Sequence, residues 1–481
     1  MTTILRSTII LLLTACLTCV VFLTVHHKVG DYGAETDLYA FYWPTANALE
    51  HGRIQMDDFH PPLYGWLLGG LTLSRIVPGE FEAALLLSML SYIAVVFLIL
   101  RIGRQSFKDH ELVGWFAAVI VASNPTLMEF ACRANVHIVY LAISLAAIYF
   151  ALRKNILLTG IFVALTIWTR YTWMLSIIPL VFLPWKKSWP AWVIAALAWT
   201  GLGLLTLSVK DIWLYSLNHV SIAAGLYNTD LPTNPGLWDQ RHQLEFEHLG
   251  LIQILLHNPK MAATSIITHI GQFGYKALIY LMVLPTGLLA IIGFRKKYWG
   301  NYRHPLLIWT LIFFAILIMT FWEGQYVLGL IPLLGLAAAL VLADLPFPKI
   351  ARWISPVVLA GLTVWGIITV NKAMTPGPVA VKYAATFMQT LPGKTVLSRD
   401  PRVFYYSGKQ PGQMYLTPRG SVQVSTDYIF VSHYELIRND TLNLILNNSD
   451  FDRKTQNLSP WPYVRILKMR EEFMTPVTPV P

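Results

Sequence analysis

Charge is what this chain has least of. Only 13% of its 481 residues are Asp, Glu, Lys or Arg, while 55% are apolar and 13% aromatic; a soluble domain carries roughly 25% charged residues. A soluble enzyme is excluded, and a mean hydropathy of +0.52 makes lipid the solvent for the first three quarters of the chain. Cysteine is scarce too. Cys16, Cys19 and Cys132 are the only three, and they lie in or beside apolar runs, so neither a disulfide framework nor a thiolate metal site can be read. Leu13-Thr14-Ala15-Cys16 behind Arg6 has the form of a lipoprotein cleavage box, but the apolar run continues to Val25 and cutting would destroy a full-length span. The phosphate-loop, dinucleotide-fingerprint, zinc-protease and nucleophile-elbow motifs are missing as well. The formal charge of +10 is spread over short loops and implies no nucleic acid.

What is present is a series of apolar runs long enough to cross about 30 Å of hydrocarbon. They cover Ser7 to Val25, Phe81 to Leu100, Leu112 to Phe130, Val136 to Leu152, Trp189 to Val209, Phe273 to Phe294, Pro305 to Phe321, Tyr326 to Ala343 and Trp353 to Val370. Two shorter runs, Ile156 to Thr169 and Tyr171 to Pro184, flank Arg170. They read as a tight pair of short spans, because one continuous helix would bury Arg170 at the midplane. The fold expected is therefore an all-α polytopic membrane protein with about 11 transmembrane helices.

Orientation follows from the cations. If Leu63 to Val77 lies at the interface without crossing, Arg101, Arg104, Lys108, Arg153, Lys154, Lys186, Lys187, Arg295, Lys296, Lys297, Arg303, Lys349 and Arg352 all face the cytoplasm. The N-terminus is then cytoplasmic and the C-terminus exterior. The expected membrane domain is 1–371, with a first outer loop at 26–80 and a large outer loop at 210–272. From residue 372 to 481 apolar stretches shorten to strand length, as in Thr395 to Ser398 and Tyr428 to Ser432, with helical stretches at Val379 to Thr390 and Tyr434 to Asn447. This reads as a small exterior α/β domain.

Chemistry concentrates in the first outer loop. Tyr39, Tyr42, Ala46 and Leu49 recur at helical spacing, which predicts an amphipathic helix on the outer membrane surface. Glu35 and Asp37 stand at its N-terminus. They are either a capping pair favoured by the helix dipole, or a base taking a proton from an acceptor hydroxyl with a second carboxylate orienting it or binding a cation. Arg170, at a turn between two short helices, is either a snorkelling cation or the floor of a depression suited to a phosphodiester. Tyr64 and Tyr326 also fit an aromatic belt, and His219 also fits a structural role.

An acidic residue in the first outer loop, then Tyr42-x-x-x-Ala46 and Gly52, then His60-Pro61-Pro62-Leu63-Tyr64, resembles the GT-C membrane glycosyltransferases. The nearest patterns are those of the protein O-mannosyltransferases, lipid A aminoarabinose transferases and lipopolysaccharide galacturonosyltransferases. Gly160 to Tyr171, with Thr169-Arg170, is similar to their Gly-containing short span ending in Leu-Thr-Lys or Leu-Thr-Arg. Gly324-Gln325-Tyr326 followed by Pro332 resembles their late span at the lipid phosphate, and Asp211 to His219 resembles an outer-loop Trp and His region. The chain departs from the pattern at Cys132-Arg133-Ala134-Asn135-Val136-His137, where relatives often carry an acid, and at Glu323 and Gln325, where Arg or Lys is common.

The resemblance implies a hexosyl or pentosyl transferase in the bilayer, in a bacterial inner membrane. It would use a polyprenyl-phosphate-linked sugar donor and a lipid, glycan or protein acceptor. Asp37 or Glu35 would be the base, and Arg170, His60, Tyr326 and Arg133 would hold the donor phosphate. Tyr39, Tyr64, His219 and Gln325 would meet substrate. No cofactor is implied; a divalent cation is compatible, and its ligands are unassigned. The rival readings are a transporter or flippase of lipid-linked sugars and an O-antigen ligase or polymerase.

Overall fold

The computed structural model describes residues 3–26, 37–54, 60–107, 112–170, 177–206, 219–227, 251–299, 304–320, 322, 324–344, 348–374, 380–398, 401–411, 413–416, 422–432, 455–458 and 464–469. The chain divides into two compact units, Met1–Ala34 with Phe41–Thr375, and Glu35–Ala40 with Pro376–Pro481.

The first unit is helical. Leu5–Val25, Glu80–Ser106 and Ile354–Ala373 are each long and apolar enough to cross a membrane, and a bent pair, Leu112–Ala122 with Pro125–Ala131, would make a fourth span. Six shorter apolar helices accompany them: Leu63–Leu73, His137–Leu152, Ile156–Thr169, Trp189–Leu205, Pro305–Met319 and Leu328–Ala343. At 1.5 Å per residue, a helix of 14 residues such as Ile156–Thr169 reaches only about 21 Å. Among the described residues, the eleven crossings read from hydropathy therefore reduce to three helices that meet the length alone, or four with the bent pair.

Two of the expected continuous spans are broken. In Leu112 to Phe130 the axis turns by 65°. Asn124 leaves the helical region (φ −68°, ψ 119°) and its Oδ1 caps the next helix by accepting from the Leu127 N–H at 3.1 Å. Pro125, having no N–H, suits the first turn of that helix. Phe273 to Phe294 is not one span either. Its start belongs to the helix Pro259–Lys276, which passes through a π-helical turn, Ala277–Leu281, and reverses at Met282-Val283, where Val283 has φ +64°. The return helix, Leu284–Gly293, lies so close that a Cβ on Gly287 would collide with the carbonyl oxygen of Leu278.

The stretch expected as the large outer loop is correspondingly structured in part. His219–Tyr227, Leu251–His257 and Pro259–Lys276 are helices, packed through Ile222, Ala223, Leu226, Ile254 and Ala262. Of the second short span beside Arg170, Tyr171–Ser176 lies outside the described residues, and one helical turn, Ile178–Val181, follows.

The core of this unit is Ile331–Ala343, in which every residue from Ile331 to Leu342 is buried. A helix apolar all round must be enclosed, and small residues let its neighbours approach. A Cβ on Gly293 would strike the Ala337 carbonyl oxygen, and one on Gly335 would strike Val121. The outer helices are apolar on both faces: on Thr3–His26, Ile9, Cys16, Val20 and Leu23 are buried while Leu11 and Val25 are 67% and 58% exposed. Such surfaces suit a lipid surround.

The second unit carries a five-stranded mixed sheet of order β2-β1-β5-β7-β6, with β1 Thr395–Leu397, β2 Gln410–Pro411, β5 Tyr428–Ser432, β6 Thr455–Asn457 and β7 Val464–Met469. A separate hairpin pairs β3 Gln413–Leu416 with β4 Val422–Ser425. β1 runs parallel to β2 and β5, whereas β7 runs antiparallel to β5 and β6. Helix Ala380–Gln389 covers a core of Ala384, Met388, Val396, Val403, Tyr428, Phe430 and Ile466. Asp427 ties β1 to β5, accepting from the N–H groups of Lys394 and Thr395 and the Thr395 hydroxyl at 2.7–2.9 Å. Although burial raises its pKa, these donors hold it below the usual carboxylate range. The expected helix Tyr434 to Asn447 lies outside the described residues.

Candidate functional site

Arg170 sits where a helix stops. Ile156–Thr169 opens on Asn155, whose Oδ1 accepts from the Leu158 N–H at 3.1 Å. Thr166 and Thr169 donate their hydroxyls back to the carbonyls of Phe162 and Leu165 at 2.6 Å, so both are satisfied in an apolar setting. Arg170 itself is extended (φ −150°, ψ 146°). Its guanidinium donates through Nη1 to the imidazole of His137, with Nε2 at 3.1 Å.

His137 is held just as firmly. It is the first residue of His137–Leu152 and is buried. Asn135 accepts from the N–H groups of His137 and Ile138 at 3.0 and 3.2 Å and donates to the Phe130 carbonyl at 2.7 Å. The stretch that departs from the family pattern, Cys132 to His137, is thus a capped turn. Arg133 is paired with Glu129 one turn earlier and lies 5.8 Å from the Phe130 ring; Phe130 stands edge-on to His137 with centroids 6.2 Å apart.

Tyr326 arrives from the opposite end of the sequence, in the turn Gly324–Val327 before the buried helix. Arg170, His137, Tyr326, Tyr140, Trp309 and Phe313 line one cavity of about 40 Å³, room for two or three water-sized groups at roughly 10–15 Å³ each. Gly329 completes its wall, where a Cβ would come within 3.0 Å of Phe313 and 3.1 Å of Trp309. The cavity pairs one permanent cation, Arg170, and two phenols, Tyr140 and Tyr326, with aromatic walls. It can hold a compact anion attached to an apolar tail.

The other expected site residues are distributed elsewhere. His60 stacks on Phe41 at 4.4 Å and meets Tyr42 edge-on at 5.1 Å, and Tyr42 meets Tyr64 at 4.9 Å. This second aromatic cluster exists because Gly65 and Gly69 let Leu63–Leu73 lie directly on Trp43–Glu50, against Thr45 and Ala46. His60, Tyr64 and Arg133 do not line the cavity. Asp37 is half-buried at the start of a π-helical turn, Leu38–Tyr42, and belongs with Tyr39 to the second unit. Glu35 lies outside the described residues; His219 and Gln325 are helical.

Among the described residues, no three His, Cys, Asp or Glu side chains converge as a metal site. Sequence reasoning passed over His137, Tyr140 and Trp309, and for His137 the signal was Asn135 two residues ahead, a cap at the start of an apolar run. It also passed over Glu50, whose carboxyl is held above its usual pKa first by burial and then by Glu80.

Residues 59–215 match the family described as dolichyl-phosphate-mannose-protein mannosyltransferase. No curated protein matches the chain in sequence. Among solved structures, ArnT from Cupriavidus metallidurans bound to undecaprenyl phosphate is similar, with a TM-score of 0.54 and 12% identity over 95% of this chain and 99% of that one. Its apo structure gives 0.53 and 14% over the same shares. AglB, the oligosaccharyltransferase of Archaeoglobus fulgidus, in complex with an inhibitory peptide and a dolichol-phosphate, gives 0.53 and 12% over 85% of this chain and 65% of that one. The chain therefore has the GT-C fold of membrane glycosyltransferases. The sequence match over residues 59–215 agrees with that fold.

Proposed function

We propose that this chain is a membrane glycosyltransferase that moves a sugar from a polyprenyl-phosphate donor to a lipid, glycan or protein acceptor of the cell envelope. The observation that carries the reading is the meeting of Arg170 and Tyr326 in one aromatic-walled cavity. Arginine is the side chain best matched to a phosphate, donating two N–H groups in a fixed fork, and a phenol adds a donor without a second charge. The structures of ArnT with undecaprenyl phosphate and of AglB with dolichol-phosphate support a ligand of that kind.

In the proposed reaction the acceptor oxygen attacks the anomeric carbon as the carbon–oxygen bond to phosphate breaks, and the electron pair leaves with the lipid phosphate. Arg170 and Tyr326 stabilise the charge that develops there, a task worth most in a water-poor site. The acceptor proton passes to Asp37 or Glu35. In-line attack inverts the anomeric centre. Arg133 and His60 would assist the phosphate end, and Tyr39, Tyr64, His219 and Gln325 would meet sugar or acceptor. The proposed setting is a bacterial inner membrane, with the N-terminus cytoplasmic and the C-terminus exterior.

The test is mass spectrometry of lipid-linked sugars and envelope glycans with and without the gene, followed by transfer with the purified protein. A lipid-linked sugar that accumulates without the gene and is consumed by the protein is the expected result. Translocation of that lipid without glycosyl transfer would overturn the reading.

A further inference from the structure

The chain before Glu35 and after Ala40 belongs to the first unit, yet residues 35–40 belong to the second. The reason lies in three tyrosines. Tyr39 is 2% exposed, and its ring lies 4.9 Å from that of Tyr405 and 5.8 Å from that of Tyr406, which themselves meet edge-on at 5.0 Å. The Tyr39 and Tyr406 hydroxyls are 2.9 Å apart and share a hydrogen bond.

Tyr406 is itself mounted on a fixed frame. It lies in the helix Pro401–Ser407, whose Val403 is part of the sheet's core. The Tyr406 carbonyl accepts from Gln389 Nε2 at 2.7 Å, and the Ser407 hydroxyl accepts from the Lys409 N–H at 3.2 Å. Asp37 is two residues ahead of Tyr39, and the backbone between them enters a π-helical turn, Leu38–Tyr42. Such turns are rare and are kept where packing holds them. Fixing the Tyr39 side chain therefore fixes the carboxylate segment from one end.

We propose that Tyr406 is a positioning residue for the proton transfer: the C-terminal unit holds the turn that bears Asp37 through the Tyr39–Tyr406 hydroxyl pair. The inference rests on the reading that Asp37 is the base. The C-terminal unit then sets the orientation of a group taking part in the proposed chemistry.

The experiment uses the full-length protein in nanodiscs with polyprenyl-phosphate sugars extracted from the source membranes. Tyr406→Phe, Tyr39→Phe and the double variant keep the rings and remove the hydrogen bond from either side or both. Each single variant should lower kcat about fivefold, the worth of one neutral hydrogen bond, with donor KM unchanged in Tyr406→Phe, and the double should lose no more kcat than a single. Hydrogen exchange, which needs no ligand, should rise at residues 37–42 and stay unchanged at 63–73. Full kcat in both single variants, or unchanged exchange at 37–42, overturns the proposal. Asp37→Asn and Glu35→Gln are run alongside: full turnover in these and their double removes the assignment of the base, whereas inactive carboxylate variants beside fully active Phe variants remove only the positioning role.

Discussion

Arg170 donates from Nη1 to the imidazole of His137, and because a guanidinium has no acceptor, the imidazole must offer a lone pair. His137 thus accepts from one of the guanidinium's five N–H donors. Replacing Arg170 with Ala should weaken binding of a polyprenyl phosphate by roughly 10- to 100-fold, the range of hydrogen bonds to charged groups. Arg170→Lys should recover only part of it, because an ammonium cannot present a planar fork. Titration of the purified variants with undecaprenyl phosphate checks this, and equal affinity in Arg170→Ala would remove the cavity as the phosphate site.

The carboxylates are separable from that binding. Asp37→Asn keeps shape and capping ability but removes a proton acceptor, so turnover should fall by roughly two to four orders of magnitude if Asp37 is the base, with donor binding intact. If it caps only, Asn remains a good cap and activity should barely change. Glu35→Gln is read in the same transfer assay.

Topology gives an independent check. Reporter fusions at Lys187 and Lys297 should read cytoplasmic, and fusions after Asn371 exterior, as the distribution of loop cations requires. A cytoplasmic C-terminus would contradict the proposed site, which needs its carboxylates on the outer face.

A pH dependence should arise just outside the spans, at His304. Its Nδ1 accepts from the Leu306 N–H at 3.2 Å, so the ring proton sits on Nε2, which lies 2.7 Å from the Ser106 hydroxyl; Trp299 meets the ring edge-on at 5.3 Å. Burial pushes its pKa down to about 4, and protonation would also displace the Leu306 cap. The folded value is below the unfolded one of roughly 6.5. The stabilising contribution is therefore fully present above pH ~6.5 and is lost as pH falls towards about 4. Thermal unfolding should show this decline, and His304→Asn, which can still cap, should flatten it.

Close helix packing predicts unequal glycines. Gly293→Ala forces a Cβ into the Ala337 carbonyl and should lower the unfolding temperature. Gly271→Ala meets nothing within 4 Å and should be neutral or stabilising by up to about 1 kcal/mol, from helix propensity alone. Unfolding temperatures of the two variants in one detergent decide it.

Much of this architecture was legible in the residues. Tyr39, Tyr42 and Ala46 do lie in helical turns, though buried within the protein rather than laid on a membrane surface, Arg170 does end a short helix, and Thr395 to Ser398 and Tyr428 to Ser432 fall on β1 and β5. The bend at Asn124-Pro125 had a local signal, a capping residue followed by proline, which a hydropathy window averages away. The reversal at Val283 had none, because a β-branched residue at φ +64° is the opposite of what a turn usually selects. Asn135 marked His137 as a helix start, but its pairing with Arg170 was not legible, since Arg170 lies on another helix and their meeting depends on packing.

The hydroxyl pair of Tyr39 and Tyr406 spans 367 positions of sequence. At a synthesis rate of roughly 5–20 residues per second, the second tyrosine leaves the ribosome about 20–70 s after the first. Throughout that interval Tyr39 lacks its partner. A nascent chain is thus kept from attaining the finished arrangement until its final quarter has emerged, a delay set by the order of the residues and needing no inhibitor.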